Sequence, residues 1–162
     1  MSCGAACVRQ LLRDAGVDVS EAKIRDLAGF HPELGMPLEG LRDALNELHV
    51  AAGAYECGTA EREQLDLFAQ VVPFIALVRT PSRHFLIVDE VSRSEVRVRD
   101  PAGTPEGPSV GAIGWMDRQA FVERWTRAGN GVAFLRPKPI VLASGQRSTA
   151  KRASPKARAP RR

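Results

Sequence analysis

The order of apolar patterning predicts an α+β domain, with an N-terminal helical half packed on a C-terminal antiparallel sheet. Two observations carry that prediction. Up to about residue 50 the large apolar residues recur every three or four positions, the period of a helix face, whereas beyond Pro73 they fall in short unbroken or alternating runs, the pattern of strands. The 162 residues, 44% of them apolar, suffice for one hydrophobic core and not for two independent ones, and no internal repeat divides them.

Val8, Leu11, Leu12 and Ala15 share one face of a helix over residues 4–15, which Gly16 can stop. Ser20 suits the cap of a second helix carrying Ala22, Ile24, Leu27 and Ala28. Leu38, Leu41, Leu45 and Leu48 form a stripe over residues 38–49, and a further helix is expected over residues 60–69. Phe74-Ile75-Ala76-Leu77-Val78 and Phe85-Leu86-Ile87-Val88 are continuous apolar runs, as in strands buried on both faces. Glu95-Val96-Arg97-Val98-Arg99 alternates with period two and suits a strand with one wet face. Residues 102–114, rich in Gly and Pro, are expected to form a loop. A helix over residues 117–126 presents Phe121, Val122 and Trp125, and Val132-Ala133-Phe134-Leu135 closes the domain as a strand.

The formal charge of +4 averages two unlike segments. Nine of the 23 Lys and Arg lie in residues 136–162, which hold no acid, leaving 14 basic against 19 acidic residues in 1–135, a formal −5. The chain therefore divides into a domain over residues 1–135 and a basic tail over residues 136–162. Past Leu142 the tail has almost nothing apolar larger than alanine and cannot offset its ordering entropy, so disorder is expected. The acidic domain argues against a nucleic-acid-binding core, while the tail's charge suits an acidic partner, a membrane surface or nucleic acid.

No stretch approaches the roughly 20 apolar residues of a transmembrane segment, and no basic start followed by an apolar run marks export. Three unevenly spaced cysteines, Cys3, Cys7 and Cys57, fit a reducing compartment, so a cytoplasmic location is expected. No Gly-rich loop ending in Lys-Ser or Lys-Thr is present; neither ATP nor any cofactor is expected to bind.

The candidate chemistry lies in Cys3, His84 and Asp100. Cys3 precedes the first helix, where unpaired backbone N–H groups and the positive end of the helix dipole favour thiolate over thiol. Gly4 beside it would leave the backbone open to a substrate. Cys7 falls one turn further, inside the helix face, and Cys57 has a partly buried setting. His84, after the turn-like Thr80-Pro81-Ser82-Arg83, opens the buried strand Phe85-Leu86-Ile87-Val88 and would hold an imidazole at the sheet's rim. If that strand and the Glu95-to-Arg99 run form a hairpin, Asp100 returns beside His84, where a carboxylate can hold the ring in the tautomer that accepts a thiol proton. His31, in a loop before Pro32, and His49, at a helix end, need no such role.

Ser2-Cys3-Gly4-Ala5-Ala6-Cys7 resembles the Asp-Cys-Gly-Pro-Ala-Cys signature of the bacteriocin-processing cysteine peptidases, papain-like domains that cut double-glycine leader peptides in bacterial ABC exporters. His84-Phe85-Leu86-Ile87-Val88 is similar to that family's His-Phe-Val-Val-Leu, and Asp100-Pro101-Ala102 to its Asp-Pro-Ala. Gly35-Met36-Pro37-Leu38-Glu39-Gly40-Leu41 resembles its Gly-rich link into the third helix, and Phe121 and Trp125 its terminal Phe and Trp-Thr positions. These blocks lie in order across residues 2–135. The resemblance implies a papain-like fold without the transporter, a peptide or protein substrate, and a catalytic set of Cys3 as nucleophile, His84 as general base and acid, and Asp100 as orienting residue. Ser2 and Ala5 replace the signature's Asp and Pro, and only Met1 and Ser2 stand where the family carries an oxyanion-hole glutamine.

On the residues alone other classes stay open: a module that binds peptides without cutting them, a detached toxin or effector protease, another acyl transfer such as transglutaminase or deamidase action, and a zinc site on Cys3, Cys7 and a histidine, which lacks a second ligand pair.

Overall fold

The computed structural model describes residues 3–48, 53–102 and 112–137. Three helices come first: α1 (Cys3–Asp14), α2 (Glu21–Leu27) and α3 (Leu38–Leu48). Strand β1 (Gly53–Thr59) is followed by a 3-10 turn at Arg62–Gln64 and the short helix α4 (Leu65–Phe68). Strands β2 (Phe74–Thr80), β3 (Ser82–Val91), β4 (Glu95–Asp100) and β5 (Ala112–Asp117) form a meander, and α5 (Arg118–Arg127) leads to β6 (Gly131–Pro137). The six strands make one antiparallel sheet in the order β1-β6-β2-β3-β4-β5.

Local chemistry sets the helix ends. Gly16, at φ +79°, closes α1, with Val17 N–H on the Leu12 carbonyl at 2.8 Å and Gly16 N–H on that of Arg13 at 3.0 Å. Ser20 Oγ accepts from Lys23 N–H at 3.3 Å to cap α2, and Asp117 Oδ1 accepts from Ala120 N–H at 2.9 Å to cap α5.

The sheet separates two apolar clusters. On one side Val8, Leu11 and Leu12 of α1, Ile24 of α2 and Leu41 and Leu45 of α3 pack with Ile75, Leu77, Phe85 and Ile87. On the other, Phe121, Val122 and Trp125 of α5 pack with Phe74, Ala76, Val78, Leu86, Val88, Val96 and Val98. Alternate residues of β2 and β3 thus enter opposite clusters, which is why both runs are apolar without a break. Each Val, Leu, Ile or Phe among them contributes roughly 1.5–3 kcal/mol by leaving water. Fully buried Trp125 also donates its indole N–H to the Gly131 carbonyl at 3.2 Å.

The expected α+β class and its helices-then-sheet order are present, with several local differences. Residues 53–59 form an edge strand for which Gly and Glu left no strand pattern, and the helix expected over 60–69 is a 3-10 turn and one helical turn. The loop expected over 102–114 gives way to β5 from Ala112. The Thr80-to-Arg83 turn contracts to Pro81 alone, with Thr80 and Ser82 paired across it, so His84 is the third residue of β3 rather than its first. His49, residues 103–111 of the loop and residues 138–162 of the tail lie outside the described residues.

Candidate active site

Cys3 is the first residue of α1 rather than the residue before it, and α1 lies against β3. The N–H of Phe85 reaches Cys3 Sγ at 3.5 Å. One turn further along the same helix, the Cys7 thiol donates to the Phe85 carbonyl at 3.4 Å. The nucleophile candidate is thereby tied to the strand that carries His84.

The hairpin of β3 and β4 supplies the other two groups. Its register sets Ile87 opposite Arg99, so one step further Asp100 faces Leu86, with His84 as its diagonal neighbour on the same face. His84 Nε2 lies 2.9 Å from each carboxylate oxygen of Asp100. Asp100 is 0% exposed and His84 7%. With Nε2 engaged by Asp100, Nδ1 is the nitrogen left for the hydrogen bond joining His84 to Cys3. The three residues singled out in the sequence are brought together, although 81 positions separate Cys3 from His84.

The electrostatics follow from this contact. Burial alone would raise the Cys3 thiol, but the His84 hydrogen bond, the Phe85 N–H, the charge on His84 and the Gly4 N–H outweigh it and hold Cys3 below its ordinary value. Burial likewise opposes a charge on His84, yet hydrogen bonds to Asp100 and Cys3 and their negative charges lift it from 6.5 to about 9. The pair therefore favours thiolate and imidazolium. Cys7 behaves oppositely: full burial, then the charges of Cys3 and Asp100, push its thiol well above the ordinary value, so it stays protonated. Burial also raises half-buried Cys57, with Arg42 Nη1 donating to its sulfur at 3.6 Å.

A groove of about 1140 Å³ opens beside Cys3, walled by Phe30, Leu34, Met36, Leu77 and Phe85. Leu34, 86% exposed, stands at the tip of a turn closed by the His31–Gly35 bridge. Gly4 serves packing rather than substrate access: a Cβ there would lie 2.8 Å from Leu41 Cδ2 and 3.2 Å from Phe85 Cδ2, so its absence lets α1 settle on α3 and β3. Gln10 donates to Asp14 at 2.9 Å, two turns along α1 from Cys3. Among the described residues no group of three or more His, Cys, Asp or Glu is arranged to hold a metal ion.

Two supports have no signature in the sequence. Arg99, next to Asp100, reaches Asp14 Oδ2 at 2.7 Å with Nη1 and Asp89 Oδ1 at 2.8 Å with Nη2, tying the end of α1 to the hairpin. The bond of Cys7 to Phe85 is the other. Both join positions at least 78 or 85 residues apart on one side, a range at which residue spacing carries no information; the only local hint is a second cysteine on the buried face of α1.

The sequence profile of the peptidase C39 family matches residues 1–136. The chain belongs to this family. A relative, the lactococcin-G-processing and transport ATP-binding protein LagD of Lactococcus lactis subsp. lactis, is 26% identical over 102 residues, 62% of this chain and 14% of that protein. This chain thus spans about one seventh of the transport protein's length. The fold is also that of solved C39 domains. The peptidase domain of Streptococcus ComA superposes with a TM-score of 0.67 at 22% identity, over 85% of this chain and 92% of that one. A double glycine motif protease from an AMS/PCAT transporter, solved with its leader peptide, gives 0.64 at 15% identity over 85% of each chain. The C39-like domain of the toxin secretion ATP-binding protein from Vibrio parahaemolyticus gives 0.62 at 11% identity, over 85% of this chain and 98% of that one. No helix among the described residues is long and apolar enough to cross a membrane.

Proposed function

We propose that this C39 domain is a cysteine peptidase in which Cys3 is the nucleophile, His84 the general base and acid, and Asp100 the residue that orients the imidazole. The carrying observation is the buried contact of His84 Nε2 with both Asp100 oxygens, 2.9 Å each, while the same ring bonds to Cys3 beside an open groove. The Cys3 thiolate attacks the scissile carbonyl, and the resulting oxyanion forms at the positive end of the α1 dipole. Imidazolium gives its proton to the leaving amine as the C–N bond breaks, leaving a thioester on Cys3. Neutral His84 then takes a proton from water, whose hydroxide cleaves the thioester; Asp100 keeps the ring in one tautomer throughout.

The substrate we assign is a peptide with a double-glycine leader. The names of the lactococcin-G-processing relative and of the leader-bound double glycine motif protease support this. Residues 1–135 are the peptidase domain in this reading and residues 136–162 an appended basic segment, and the cytoplasm is the compartment that keeps Cys3 reduced.

Incubation with a synthetic double-glycine leader peptide, followed by mass spectrometry, tests the assignment. Wild type is expected to release one fragment pair, and Cys3→Ala none. Binding of the peptide with no cleavage by wild type would overturn the peptidase reading in favour of a peptide-holding module.

A further inference from the structure

The β3–β4 ladder ends at the catalytic residues. Its last register pair is Ile87 with Arg99, and two steps further Phe85 would face Pro101, which has no N–H to give. The peptide groups of Phe85 turn to α1 instead. Its N–H donates to Cys3 Sγ at 3.5 Å and its carbonyl accepts from the Cys7 thiol at 3.4 Å. The two sulfurs sit on consecutive turns of one helix face and bracket a single residue of β3.

We propose that Cys7 is a positioning residue for the reaction: by holding the Phe85 carbonyl, its S–H keeps the Phe85 N–H on the Cys3 sulfur and His84, one residue away, aligned with it. This rests on Cys3 being the nucleophile. The thiol suits the task because it is 0% exposed and so has no competing water. It also stays protonated: full burial and the charges of Cys3 and Asp100 raise it, against only Arg99. Those residues and His84 are the charged groups that surround the two sulfurs.

The test follows iodoacetamide alkylation of Cys3 against pH by peptide mass, in wild type and in Cys7→Ala, Cys7→Val and Cys7→Ser. Losing one hydrogen-bonded donor should slow alkylation at pH 7 about three- to ten-fold in the alanine and valine variants and move the Cys3 midpoint upward, with partial recovery in serine. Valine refills the space without the donor, so a role in packing alone predicts a wild-type midpoint for it. An unchanged midpoint in valine overturns the proposal, whatever alanine shows. A wild-type Cys3 titrating no lower than Cys57 would overturn the nucleophile reading itself, a separate failure. Should the variants not fold, Cys57→Ser protein alkylated at Cys3 keeps Cys7 as its sole thiol among the sequence's three cysteines. An S–H stretch lowered from that of a free thiol supports the bond, and an unshifted band overturns it.

Discussion

Replacing Asp100 with asparagine keeps the shape of the side chain and removes its charge, so it isolates what the carboxylate does to His84. Both oxygens lie 2.9 Å from Nε2 in a site where Asp100 is 0% exposed and His84 7%. A hydrogen bond to a charged acceptor contributes about 1.5–3 kcal/mol and a neutral one about 0.5–1.5, so the exchange loses about 1–1.5 kcal/mol of preference for imidazolium. At 1.36 kcal/mol per unit this is about one pKa unit. His84 should therefore fall from about 9 to about 8. It would still be mostly protonated at pH 7, and the same loss of about 1–1.5 kcal/mol, taken from the thiolate–imidazolium pair, should slow cleavage there about ten-fold. That is far milder than the roughly ten-thousand-fold loss when the same exchange is made in a serine triad, whose resting imidazole is neutral. A ring-carbon NMR titration of His84 reads the first number and leader-peptide cleavage the second. A wild-type midpoint near 6.5, or an identical midpoint in Asp100→Asn, would refute the reasoning.

The same pair shapes stability against pH. The raised pKa of His84 gives stabilisation that is complete below 6.5 and lost as pH climbs through about 9; the lowered pKa of Cys3 gives stabilisation present above 9.0 and lost as pH falls through its folded value. The two slopes oppose each other where they overlap, so the urea midpoint of Cys3→Ala should decline from pH 6.5 upward while that of wild type stays flatter; parallel curves would contradict this. Arg99→Ala should lower unfolding free energy by about 1–2 kcal/mol in urea titrations, because its two partners are partly exposed and water recovers some of the loss. Gly40→Ala should cost about 2–3 kcal/mol, roughly 10 °C in Tm by calorimetry, since the new methyl would run into the Ala28 carbonyl and force α2 and α3 apart.

Where the physics is local, the residues announce the structure. The 3.6-residue stripes of α1 and α3, the Ser20 cap and the unbroken apolar runs of β2 and β3 all have local causes, and each is readable from neighbours in the chain. Asp100 beside His84 was legible too, because hairpin geometry converts a sequence separation into a contact. What escaped depends on partners far away. Strand β1 has Glu56 and two glycines and is recruited by β6, whose register runs its full length. Strand β5, starting within a Gly- and Pro-rich stretch, is drafted onto β4 in the same way. Gly4 shows the limit most plainly: its small size invites a guess of substrate access, and only the positions of Leu41 and Phe85 reveal a packing constraint.

The contact between Cys3 and Phe85 spans 82 positions of the chain. During synthesis the sulfur emerges first and its activating partner only 82 positions later. Until that strand is made and seated, the thiol has neither its imidazole nor the amide that supports the sulfide charge. In the peptidase reading a growing chain would therefore carry an unarmed thiol, and reactivity would arrive only once helix and strand are joined.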